Sequence, residues 1–156
     1  MLAITTYEWL KAAHVLAAVM WVGGSVMLTL LALLTVAERD PKRMVQFTKQ
    51  VAFLGGSYFP ILSLTVLGIG FGLVEEGDLG YDPTWIRIAI AGWAASFFIG
   101  AGYLGPHAKK LSKLLEERSP EDADVQDLIK RILLVARFDA VLLLFIVFDM
   151  TAKPWS

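Results

Sequence analysis

The run AAHVLAAVMWVGGSVML, residues 12–28, holds one ionisable ring, His14, in an otherwise apolar stretch. An ionisable group at membrane depth is costly enough to mark a functional candidate, and neutral imidazole is the commonest protein ligand for metals, haem iron included. With about 3.6 residues per helical turn, His14, Ala17, Ala18, Trp21 and Ser25 share one face. The small side chains of Ala17 and Ala18 leave a flat recess beside the imidazole, roofed by Trp21. That pattern points to a planar cofactor, haem b, with His14 as axial ligand, or to a copper ion. It equally allows His14 to donate to a carbonyl or carboxylate and only hold helices together.

A second set of polar residues lies near the other end of the chain. Asp149 sits about one turn inside Lys153, as His14 sits about one turn inside Lys11, so the carboxylate could orient the imidazole. Met150 beside it offers a soft sulfur. Deeper in the same segment, Arg137 and Asp139 are two residues apart and face nearly opposite directions on a helix, so each needs its own partner. Ser57, Tyr58 and Tyr103 fall at similar depth and could join them in a buried polar network. His107 cannot share a haem with His14, because about 20 Å or more of depth separates them at the helical rise. It reads as an interfacial residue.

These residues need apolar elements to carry them. The chain has 156 residues, 56% hydrophobic and 19% charged, with mean hydropathy +0.61. Soluble domains are less apolar and more charged, so the excess indicates membrane. A net charge of −1 gives no basic field for nucleic acid, and the lack of cysteine removes disulfides and thiolate sites. The start, MLAITTYEWLK, lacks a basic leader region, and the apolar run behind it is too long for a signal-peptide core, so a retained helix is expected.

Four stretches are long enough to span, at approximately residues 8–37, 51–74, 85–106 and 130–152. The last is interrupted by Arg137, Asp139 and Asp149. The expected fold is an all-α, four-transmembrane-helix bundle, one integral membrane domain over residues 1–156. Thr5 with Glu8 makes a capping box. Asp40-Pro41, Asp82-Pro83 and Ser119-Pro120 each place a capping side chain before a proline at the first helical position. The second helix is therefore expected to run on from Pro41, the third to continue past Pro106, and the fourth to begin near Pro120.

Basic residues concentrate in two connections, Arg39, Lys42, Arg43 and Lys49 in one, and Lys109, Lys110, Lys113, Arg118, Lys130 and Arg131 in the other. By the positive-inside tendency both face the cytoplasm and both termini lie on the non-cytoplasmic side. Tyr7, Trp9, Tyr81, Trp85 and Trp155 would form an outer aromatic belt. Glycine and serine pairs and rows, such as Gly92, Ser96 and Gly100, suit close helix approach within or between subunits, including a homo-oligomer.

The first-helix motif HVLAAVMWVGGSVML resembles that of the copper resistance protein D superfamily, whose relatives include HemJ-type protoporphyrinogen oxidases and small bacterial membrane proteins. The close, DMTAKPWS, resembles the D-M-x-x-K-P ending of one four-span family in that group. The resemblance implies a bacterial inner-membrane protein with His14 as ligand to haem b and a redox or small-ligand role, working with a quinone or another redox partner. The oxidase activity does not carry over, because the third-helix lysine those enzymes need is absent between residues 88 and 106. Copper or proton handling along His14, Asp149, Met150 and the Asp139/Arg137 pair is the alternative, and a purely structural membrane subunit the third.

Overall fold

The structure, a computed structural model, describes residues 5–155 of the chain. Residues 1–4 and Ser156, the last residue of the closing motif, lie outside the described residues. The described chain is helical throughout: α1 (Thr6–Glu38), α2 (Pro41–Gly56), α3 (Tyr58–Glu76), α4 (Thr84–Phe98), a π-helical segment (Ile99–Leu104), α5 (Gly105–Glu117) and α6 (Ala123–Ala152). Three helical runs are long and apolar enough to cross a membrane: α1, α2 with α3, and α4 through α5.

The helix starts follow their capping chemistry, with two shifts. Thr5 and Glu8 form the capping box, and the Asp40 side chain accepts from the Lys42 N–H ahead of α2. Before α4, however, Pro83 takes the cap position itself, because its ψ of 129° keeps it extended, and Asp82 makes no cap bond. Before α6, Ser119 and Pro120 form a turn in which the Ser119 hydroxyl accepts from the Glu121 N–H, and Asp122 becomes the cap residue. The helix therefore begins three residues after Pro120.

The second apolar run is not one continuous helix. It breaks at Ser57 (φ −130°, ψ −66°), and Pro60 supplies the cause. Its nitrogen cannot donate to the Gly56 carbonyl, and its ring crowds that carbonyl. The Ser57 hydroxyl donates instead to the Phe53 carbonyl at 2.7 Å. The third run carries the same fault. Pro106 cannot bond the carbonyl of Gly102, and the turn ahead of it loosens into the π-helical segment, where the Gly105 N–H donates to the Gly100 carbonyl.

One end of the bundle gathers the start of α1 and the close of α6 with the close of α3 and the start of α4. There Tyr7 packs on Gly77, and the Lys153 ammonium lies 4.4 Å from the Trp85 ring centroid. Trp9, Tyr81 and Trp155 are exposed at this end, as an interfacial belt requires, but Trp85 is buried with Val74 and Ile86. The central core joins α1, α3 and α6 through Ala17, Trp21, Val22, Val66, Leu143 and Ile146. Gly92 lets α4 close on α6: a Cβ there would stand 2.8 Å from Ile146. At the far end Met44, Leu111, Leu115, Val125 and Ile129 seal α2, α5 and α6.

The outer surface is apolar over much of its extent. On α1, Val15, Leu16, Val19 and Met27 point outward, and on α6 Leu134, Phe138, Val141 and Phe148 do the same. A soluble protein rarely exposes contiguous apolar surface on this scale, and a bilayer-facing one must.

Candidate functional site

His14 sits on α1, half-buried against α3. A Cβ on Gly70 would lie 3.2 Å from Cε1 and 3.6 Å from Nδ1, so the missing side chain is what admits the ring. The Val66 backbone is the hydrogen-bonding group that approaches the imidazole. Nδ1 itself is buried with no hydrogen-bond partner. Ala17, which was to leave a recess, is buried in the central core, and Ala18 packs against that core. The imidazole therefore offers one unpartnered nitrogen, on the side where Gly70 of α3 packs against it.

Asp149 is wholly buried on α6, and neither of its oxygens has a hydrogen-bond partner in ordinary geometry; Trp155 is the side chain that approaches it. No hydrogen bond joins Asp149 to His14. Met150 packs between the central core and the Trp85 cluster. Among the described residues no group of three His, Cys, Asp or Glu side chains gathers that could hold a metal ion. A copper ion at His14 would have one nitrogen and no assembled set of donors.

The pair deeper on α6 divides as its spacing requires. Arg137 is exposed on the outer face, among outward-pointing Leu134 and Phe138. Asp139 is 7% exposed and turned inward, with Oδ1 unpartnered and the Ser96 hydroxyl hydrogen-bonding the carboxylate. The expected common network is therefore not formed, since Arg137 lies outside it. Tyr58 is also exposed, edge-on to Phe59 at 5.3 Å. Tyr103 stacks on His107 with ring centroids 3.9 Å apart, and the His107 Nδ1 lies 2.8 Å from the Tyr103 carbonyl.

Asp139 borders a cavity of about 160 Å³ walled by every helix of the bundle. Its lining is overwhelmingly apolar, with the rings of Trp21, Phe47, Phe59 and Phe97 and the hydroxyls of Ser25, Ser63 and Ser96. Ser63 is buried, its hydroxyl without a partner, while its carbonyl accepts from the Trp93 indole at 3.0 Å. Among the described residues Asp139 is the one charged side chain in the lining.

Two helices break beside each other at the cavity wall. Gly55, just before the Ser57 break, faces Gly105, just after the π-helical segment: a Cβ on Gly55 would meet the Gly105 Cα at 3.6 Å. Irregular backbone at membrane depth is tolerated where it is buried in protein or lines a cavity. The sequence signals for this site were Pro60 and Pro106, each close behind glycines, and not the histidine. Ser63 and the cavity itself were missed. Trp21 and Ser25 were placed on the right helix face, but they roof this cavity and not a recess at His14.

No family model, curated protein or solved structure matches the chain.

Proposed function

We propose that the protein is a four-span bacterial inner-membrane protein whose working site is the Asp139 cavity, where it holds a small ligand with an apolar body and one polar head. The observation that carries this reading is a buried carboxylate with a free oxygen, bordering an apolar cavity where two helices break. A cavity of this volume matches the roughly 150 Å³ that admits benzene in a protein core, so a single-ring ligand is the right scale.

The α6 helix is the fourth span: its 30 residues are ample for a bilayer, its outward side chains from Leu134 to Phe148 are apolar except Arg137, and Asp139 and Asp149 are kept inside. Both termini face away from the cytoplasm, with the basic connections inside. A carboxy-terminal reporter active only in the cytoplasm should stay silent; activity there would overturn that orientation. Gly23, Gly56 and Gly68, exposed on the outer surface, offer flat patches for a second copy in the membrane.

Saturation-transfer NMR with benzyl alcohol on the protein in lipid nanodiscs tests the ligand role. Binding should be saturable and lost in Ala136→Phe, which fills the cavity from α6. Signal that persists unchanged in that variant would place the probe elsewhere.

A second reading is favoured by one specific observation, the unpartnered Nδ1 of His14. It keeps the imidazole as a ligand to haem b or copper, with α3 displaced from the ring and a quinone or similar redox partner. A Soret band in the purified protein, lost in His14→Ala and retained in His107→Ala, would support it. A featureless spectrum and no bound copper would remove it.

A further inference from the structure

We infer that the Asp139 cavity selects a cation, namely a small organic ammonium whose charged head pairs with Asp139 and whose ring lies among the aromatic walls. This rests on the ligand-binding role of the cavity proposed above and adds the class of ligand.

The argument starts from what Asp139 lacks. A buried carboxylate is tolerated when it is paired, amply hydrogen-bonded or protonated. Ser96 supplies one hydrogen bond, and Oδ1 has none. Arg137, the nearest cation in sequence, is exposed on the opposite side of α6. No lysine, arginine or histidine from any of the surrounding helices lines the cavity among the described residues. The missing partner must therefore come as a proton or as a ligand.

The rest of the cavity lining suits an organic cation. The rings of Trp21, Phe47, Phe59 and Phe97 can present their faces to a positive head or stack on an apolar body. The unpartnered Ser63 hydroxyl gives a second polar point. An anion would meet an unneutralised carboxylate and no positive group, so it is rejected. A permanent cation competes with a proton for the carboxylate: when the cation enters, Asp139 is left ionised and paired, and any proton it carried leaves to water. With no other titratable side chain in the lining, binding should weaken as the pH falls and Asp139 keeps its proton.

Benzyltrimethylammonium, benzyl alcohol and phenylacetate have similar single-ring bodies and differ in charge. In nanodiscs at neutral pH the cation should bind about tenfold or more tightly than the alcohol, and phenylacetate should not bind. Acidification should erase the cation's advantage and leave the alcohol unaffected. Asp139→Asn should equalise cation and alcohol, and Asp139→Glu should keep the preference. Should Asp139→Asn fail to fold, the acid titration of the unaltered protein decides. Equal affinities for cation and alcohol, or a preference that survives Asp139→Asn or low pH, would overturn the cation assignment while leaving the cavity's ligand role intact. Failure of both probes to bind would remove the two together.

Discussion

The half of the bundle around His14 and the half around Asp139 use the same kinds of residue to opposite effect. At His14, a glycine on α3 brings helices together until the imidazole fills the gap. At Asp139, two helices break at prolines that follow glycines, Gly55 meets Gly105, and a cavity lies beside that contact. Both halves contain a polar side chain that the sequence marks as costly. At Asp139 a cavity borders the side chain. A buried ionisable group thus locates a candidate, and the packing around it decides whether a ligand can be received.

The sharpest test of that contrast is core truncation. Leu143, fully buried in the closed half, should cost about 2–5 kcal/mol on truncation to alanine. Leu133→Ala, at the cavity wall, should cost less than half as much in the same detergent-unfolding assay. Equal losses would mean that the two halves are packed alike. Glycine replacements come next. A Cβ at Gly92 would stand 2.8 Å from Ile146, whereas one at Gly100 would meet nothing within 4 Å. Gly92→Ala should therefore destabilise by about 1–3 kcal/mol and Gly100→Ala should be close to neutral.

A smaller effect concerns the breaks themselves. Pro60→Ala restores a backbone donor to the Gly56 carbonyl, which should straighten the α2–α3 junction and narrow the cavity. Benzyl alcohol affinity should fall while the unfolding midpoint holds or rises. Unchanged affinity would show that the break does not shape the site.

The smallest effect belongs to the closed end, outside the spans. Tyr81 donates to Glu75 at 2.9 Å, and that hydrogen bond raises the phenol above its usual value. A raised value means the contribution is complete at neutral pH and is lost as pH rises through the Tyr81 transition. Tyr81→Phe should remove that alkaline dependence from the unfolding midpoint and leave acid stability alone. A variant with the same alkaline profile as the parent would exclude Tyr81 as its source.

Much of the helical architecture was legible in the sequence because it rests on composition and local capping. The capping box at Thr5 and the cap at Asp40 follow from local sequence, and helical spacing set Asp139 and Arg137 on different faces, but the exposure of Arg137 departs from the buried network expected for both. Two helix starts were misplaced because a proline after a capping residue can itself sit outside the helix, as Pro83 does with its extended ψ. The site was harder to read, because a cavity is a property of several helices at once. Nothing in the residues near His14 says that Gly70, more than fifty positions away, closes on the ring. Pro60 and Pro106 did carry a local signal, but their effect becomes a site only where the fold brings Gly55 to Gly105.

Photolabelling with a benzylammonium bearing an aryl diazirine, competed with benzyltrimethylammonium, tests most directly whether the working site is the cavity and not the histidine. Competed adducts should map by mass spectrometry to the cavity wall, on peptides containing Phe59, Phe97 or Ala136, and should need about tenfold more probe in Asp139→Asn but not in His14→Ala. Competed adducts confined to the α1–α3 contact around His14 and Gly70, lost in His14→Ala and retained in Asp139→Asn, would contradict it.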